Sequence, residues 1–566
     1  MQKYFGVILI LLLILYTRFI GLNWGLPYPM HPDERNMAEA ITQLKCPSSP
    51  TSFMSVRECM NPHFYAYGQA PLYTGYALVQ GLHYFAGTLG ASISFEEATM
   101  SLRVQSALLS MVLVGMMWKT FMLLYPGKPR PVFSAVLMLI LTLQPYAIQF
   151  AHFGTTETAL MLLYMSIIYA CLRLIRSLDG KWILLIGAAT GVAVGIKTSS
   201  LLFTALPVFV LINTVLRQSK KHIRQYAQSV LLLILSAVLF MLITSPHSII
   251  NFSDFLQSMK YEIPVGQGAL KVFYTRQFEG TIPIIFQFTH IFPYTHGLPV
   301  LLLFIAGFLW LPWKDKQLNI LRLSWLIFFI PTAFLYTKWT RFIAPIMPVM
   351  TVFATLIFTQ IWEKISSLPL RIALLTVVIL PGVAYLSIYQ HPDVRFEASR
   401  VITNTIPSGS HILEEAGNVI NIPIPIPDSL QPLPYYNFEA FDLYNLDSAI
   451  KMRALDSSLQ EANAVIIPSR RIFADHTCID PDGSTSISQL LPFQNCGKLL
   501  KDYPYINQYY QRLIGPESSY IQTALITSYP RIELFGIKLV EFPDERAEET
   551  WTVFDHPVVR IYEKVQ

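Results

Sequence analysis

The chain has 566 residues, 53% of them hydrophobic and 14% charged, with a mean hydropathy of +0.44 and a formal net charge of +5. A soluble domain carries roughly 25% charged residues, so this composition excludes an ordinary soluble enzyme and points to a membrane protein. The small basic excess is what basic cytoplasmic loops would give, and it offers no argument for nucleic acid as a partner.

The first apolar run, Phe5 to Leu22, follows a single Lys3 and has no small-residue cleavage site behind it. It reads as an uncleaved first helix that leaves the N-terminus in the cytoplasm. Further runs of spanning length occupy 101–123, 131–150, 157–174, 182–199, 201–216, 228–245, 298–312, 320–337, 342–361 and 370–388, which makes about eleven spans. Short loops rich in Lys and Arg (119–130, 173–181, 217–224, 314–322 and 364–371) fall on every second connection, as the positive-inside rule requires of cytoplasmic loops. The other connections then face outward: 23–100, 151–156, 198–200, 246–297, 338–341 and everything after Ser387. Arg18 and Arg103 run against this bias. Residues 72–90 contain Gly, Tyr, Gln and His and are expected to lie along the outer interface, because counting them as a span would reverse every later loop.

Disulfides form on the oxidising side of a membrane, so the cysteines test the sidedness. Cys46 and Cys59 share the first outer loop, Cys478 and Cys496 lie near the C-terminus, and Cys171 sits alone inside a helix. Two disulfide pairs and one buried thiol are expected, although spacing alone leaves the reduced alternative open. After residue 389 prolines cluster in IPIPIPDSLQPLP, and β-rich runs at 463–468, 535–542 and 558–564 alternate with helix-like stretches. The expected organisation is a transmembrane module over 1–388 and an extracytoplasmic α/β domain over 389–566.

The chemistry-bearing residues gather in the expected outer loops. In PYPMHPDER, Asp33 and Glu34 are adjacent carboxylates close to a membrane span, where mutual repulsion and poor solvation would raise a pKa and make a general base. Asp33 could equally cap the helical stretch that follows. Glu157, in HFGTTETAL, stands at the first turn of a spanning helix, where an acid usually faces a cavity. Arg103, Lys197, Lys338 and Arg341 put positive charge at outer helix ends, which an anionic phosphate at the interface would explain. The long loop 246–297 carries His247, Asp254, Tyr261, Glu262, Tyr274, Arg276 and His296 and is polar enough to cover a site; Asn251-Phe-Ser253 in it matches a glycosylation sequon.

Four stretches together resemble the GT-C glycosyltransferases that take sugar from a polyprenyl phosphate, the protein O-mannosyltransferase and lipid A aminoarabinose transferase families. They are Asp33-Glu34 followed by RNMAEAI, TTETAL with Glu157 where the family usually has aspartate, GVAVGIKTSSLL with Lys197, and KWTRFIAPIMPVM with Lys338 and Arg341. The resemblance implies a multi-pass enzyme of the cell membrane that moves a hexosyl or pentosyl group from a polyprenyl-phosphate donor to an acceptor hydroxyl on protein, lipid or glycan outside the membrane. Asp33 would be the base, with Glu34 beside it and Glu157 orienting sugar or acceptor. Lys338, Arg341, Lys197 and Arg103 would hold the donor phosphate, and His152, Tyr274 and His296 would hold the sugar or acceptor. A transporter or flippase of lipid-linked sugars is the alternative reading. A divalent cation also stays open, since Asp33, Glu34, Glu157, His63 and His152 are ligand types but no spacing compels one.

Overall fold

A computed structural model describes residues 2–46, 57–127, 129–177, 179–217, 223–427, 432–442, 447–479 and 496–565. Most of the loop expected at 217–224 lies outside the described residues. Every one of the eleven expected apolar runs contains helix. Only five helices among the described residues are long and apolar enough to cross a membrane: Phe95–Leu124, Glu157–Leu174, Tyr226–Thr244, Thr340–Lys364 and Leu368–Gln390. Two bent pairs raise the count to at most seven, Pro131–Thr142 with Pro145–His152 at 59° and Gln287–His296 with Leu298–Trp310 at 112°. The remaining runs hold the shorter helices Gly6–Phe19, Gly180–Ile196 and Thr198–Thr214 and the 18-residue helix Lys316–Ala333, so the count of eleven does not follow from helix length and composition. Proline explains one bend, because Pro145 has no backbone N–H to continue a ladder and disfavours helix at Gln144 before it.

Glycine sets the closest helix pairing. Gly187, Gly191 and Gly195 fall one turn apart on Gly180–Ile196, and a Cβ on Gly191 would come within 2.2 Å of the Ala237 carbonyl oxygen on Ile223–Thr244. Small residues at this spacing let two helix backbones touch, the commonest way to pack helices where lipid removes the hydrophobic drive. Gly195 also meets Gly68, whose N–H donates to the Ile196 carbonyl at 2.7 Å. That contact ties the first expected outer loop to the helix end carrying Lys197.

The C-terminal region is α/β. Its five-stranded sheet has the order β2-β1-β3-β7-β4, with β1 His411–Ala416, β2 Asn437–Asp442, β3 Ala464–Ile467, β4 Tyr520–Ile526 and β7 Val559–Lys564. β1 pairs in parallel with β2 and β3, while β7 runs antiparallel to β3 and β4. Alternation along the strands feeds two cores. Ile412, Ile466 and Ile561 face the helix Val394–Thr405, whereas Leu413, Val465 and Tyr562 face the helices Ala449–Glu461 and Pro504–Ile514. A hairpin of β5 Arg531–Leu534 and β6 Ile537–Glu541 stands apart. Cys46 is bonded to Cys59 and Cys478 to Cys496, and Cys171 is a free, buried thiol.

The two parts are interlocked. Ala547, Trp551, Val553 and Phe554 belong to the same apolar core as the membrane helices. Gln149 donates to the Trp551 carbonyl at 2.7 Å, and the Arg531 N–H donates to the Ser387 hydroxyl at 3.0 Å.

Candidate active site

The helix Pro32–Gln43 begins where two prolines fix the approach and His31 caps it, its Nδ1 accepting from the Asp33 and Glu34 N–H groups. The cap is therefore His31 and not Asp33, and Asp33 is left free to project from the first turn. Its Oδ2 lies 2.6 Å from an Arg341 amino group, each side chain about one-fifth exposed. A small cleft is lined by both residues, with His31, Gln149, Phe150, Phe153, Thr155, Glu157 and Thr340 from the helical part and Thr550 and Phe554 from the C-terminal region. Glu157 stands on the same cavity, and Lys197 Nζ is 3.9 Å from its Oε1.

The electrostatics are coupled. Burial pushes the Asp33 carboxyl up, but Arg341 first and then Lys197, with a hydrogen bond from Tyr67, hold it below its ordinary value. Burial lowers the His31 imidazole, so the ring is neutral, and because its Nδ1 accepts it carries its proton on Nε2. Burial raises the carboxyl of Glu262, which also feels Arg341, Asp33 and Lys197. Arg341 retains a buried Nε–H with no partner, and its guanidinium lies 4.5 Å over the Trp339 ring.

Several expected site residues have other occupations. Glu34 and Arg103 form a buried ion pair at 2.6 Å; the remaining Glu34 oxygen accepts from the Gly154 N–H, and Arg103 donates to the Leu22 and Trp24 carbonyls. With its donors used in this way and its side chain fully buried, Arg103 is a tie between loops and has no free face for a phosphate. Glu34 likewise has both carboxylate oxygens engaged and is buried away from the cleft lining. His152 has each ring nitrogen on a carbonyl, Ile148 and Ile20, and stacks on Tyr389. His296 is buried between Thr295 and the Met347 carbonyl. Both histidines brace helices and do not face the cavity's charged groups.

Lys338 lies before the helix Thr340–Ile343 and outside any helix. Its ammonium meets the Tyr336 carbonyl at 3.1 Å. Tyr274 is bonded to Tyr261 and lies near Trp339, outside the cleft lining. No group of three or more His, Cys, Asp or Glu among the described residues could hold a metal ion. His63 pairs with Glu58, which takes it away from the carboxylates it was grouped with. The sequon Asn251 is buried and bonded to His247, closed to modification.

Tyr67, Glu262, Thr550 and Phe554 are the site residues that sequence reading missed as such. Glu262 was visible only as one polar residue of a long loop, and the other three carried no motif.

A family model described as dolichyl-phosphate-mannose-protein mannosyltransferase matches residues 82–249, a stretch that holds Glu157 and Lys197 but neither Asp33 nor Arg341. The match bears out the resemblance to GT-C glycosyltransferases. No curated protein matches the chain. Among solved structures the chain is similar to ArnT from Cupriavidus metallidurans bound to undecaprenyl phosphate, with 15% identity over 70% of this chain and 72% of that one and a TM-score of 0.42. It is similar to the Saccharomyces cerevisiae protein O-mannosyltransferase Pmt1–Pmt2 complex bound to the sugar donor, with 17% identity over 45% of this chain and 34% of that one and a TM-score of 0.31. A third is the Archaeoglobus fulgidus oligosaccharyltransferase tethered with an acceptor peptide, at 13% identity, 73% and 62% coverage and a TM-score of 0.42.

Proposed function

We propose that the chain is a membrane glycosyltransferase that moves a sugar from a polyprenyl-phosphate donor to an acceptor hydroxyl at the outer membrane face, inverting the anomeric carbon, with Asp33 as general base. The observation that carries this is the pairing of Asp33 with Arg341 in one cavity that also holds Glu157 beside Lys197. The family match supports the class of reaction and of donor.

Phosphate is a good leaving group, so the reaction needs one base and a cationic cradle and no second acid. Arg341 and Lys197 form that cradle, and the unpartnered Arg341 Nε–H is a donor kept for it. Without donor, Arg341 is spent on Asp33 and holds it deprotonated but weakly basic. A phosphate that draws Arg341 away removes the largest influence lowering the Asp33 pKa. Burial and the phosphate's own charge then raise it toward the range in which a base works best. The base is thus armed by the donor it serves. Glu157, held by Lys197, orients the sugar, and Phe150, Phe153 and Phe554 give the cavity its apolar walls.

Asp33→Asn tests this with two readouts that move in opposite directions. Turnover of radiolabelled polyprenyl-phosphate sugar by membranes containing the variant should fall by roughly 10²–10⁴. Binding of undecaprenyl phosphate should hold or tighten, since the carboxylate competing for Arg341 is gone. Turnover at the normal rate ends the mechanism.

A further inference from the structure

The turn Thr340–Ile343, which carries Arg341, opens the longer helical stretch Thr340–Lys364, and its first N–H groups have no partner within the helix. Its first N–H and the Thr340 hydroxyl both donate to Glu548 Oε2, at 2.9 Å each. Glu548 is 208 residues away in sequence, in the C-terminal region, and only 1% exposed. Every remaining site on its carboxylate is occupied: Oε2 accepts from the Thr550 hydroxyl, and Oε1 accepts from the Thr550 N–H and from Gln277 of the loop 246–297. The Glu548 backbone N–H is itself bound to the His290 carbonyl at 2.8 Å. One buried carboxylate thus joins three parts of the chain at the residue next to Arg341.

We propose that Glu548 is a positioning residue for the phosphate-binding arginine, and that through it the C-terminal region, which also supplies Thr550 and Phe554 to the cavity wall, completes the active site. The inference rests on the assignment of Arg341 to the donor phosphate. A buried carboxylate that accepts from a backbone N–H and a hydroxyl of the same residue fixes both the start and the rotation of that helix turn.

The test is undecaprenyl phosphate binding by the full chain in detergent, in a double-mutant cycle. Glu548→Ala should weaken binding about tenfold. Glu548→Gln, which keeps an oxygen for Thr340, should recover part of that loss. In the Arg341→Ala background, Glu548→Ala should have no further effect, because a positioning residue acts only through the group it positions. A purely structural Glu548 would instead lower the bound fraction equally in both backgrounds, which overturns the proposal. Should Glu548→Ala not fold, Thr340→Val removes one of the two bonds from the other side and should weaken binding in the same Arg341-dependent way. Normal binding by Glu548→Ala beside weakened binding by Arg341→Ala removes Glu548 alone. Normal binding by Arg341→Ala removes the phosphate assignment, and this inference with it.

Discussion

Two adjacent acids, Asp33 and Glu34, separate into different roles because a helix turn points them apart. Asp33 meets the cavity, while Glu34 is buried against Arg103 and the Gly154 N–H. Breaking a buried ion pair by removing one partner leaves the other charge uncompensated, at a cost of about 3–5 kcal/mol. Glu34→Gln should therefore lower the thermal unfolding midpoint of the detergent-solubilised protein by several degrees. Glu34→Leu combined with Arg103→Met should cost less than either change alone. A Glu34→Gln protein of normal stability but no turnover would transfer the base to Glu34. The sequence displayed both carboxylates and all four cations, and in the structure Asp33 lies against Arg341 and Glu157 beside Lys197. It could not tell that Arg103 and Glu34 would neutralise each other, because their pairing depends on how the first loop folds back over Phe95–Leu124. Nor could it tell that Lys338 would precede its helix and turn to a carbonyl. Charges at helix ends look alike in sequence whether they bind a ligand or one another.

At the level of helices and strands, periodicity and apolar length were readable and bends were not. The β-rich run at 463–468 contains β3 and that at 558–564 contains β7, since short runs rich in Val, Ile and Tyr favour buried strands. The run 131–150 looked continuous, but the break at Leu143 and Gln144 divides it into two helices whose second half ends at His152 beside the site. The glycine-rich stretch before Lys197 was recognised as a motif, and its physical reason is the backbone contact with Ile223–Thr244. Gly191→Leu should force that pair apart, since a Cβ there already meets a carbonyl oxygen at 2.2 Å. Lys197 would then move from Glu157, and undecaprenyl phosphate binding should drop together with the unfolding midpoint. Gly115, around which a Cβ meets nothing within 4 Å, is the matched control, and Gly115→Leu should leave both unchanged. Equal effects at the two positions would mean that Gly191 has no special contact.

In the whole molecule, the C-terminal region is bound to the helices by a buried charged cluster as well as by Trp551 and Phe554. His556 has Asp555 on one ring nitrogen at 2.6 Å and Asp544 on the other at 3.0 Å. Asp555 in turn accepts from the Tyr389 and Tyr385 hydroxyls and from Gln149, all on the helical side. Burial alone would lower the His556 pKa, but Asp555 and then Asp544 outweigh it and push the ring up to about 10. A histidine whose pKa is raised by folding contributes stability that is complete below about 6.5, its unfolded value, and is lost as pH climbs through the folded value. For Asp555 burial also pushes upward, but His556 and the hydroxyl donors prevail and lower its pKa, so its contribution fails only in acid, below about 3.9. The clamp should therefore be strongest between about pH 4 and 6.5 and fade toward pH 10. The readout is the difference in unfolding midpoint between the natural chain and His556→Gln, measured at intervals from pH 6 to 10. It should be large at the acid end and shrink steadily toward the alkaline end. A difference that stays constant over that range would mean that His556 is neutral in the folded chain, leaving Trp551, Phe554 and their apolar neighbours to hold the C-terminal region against the site.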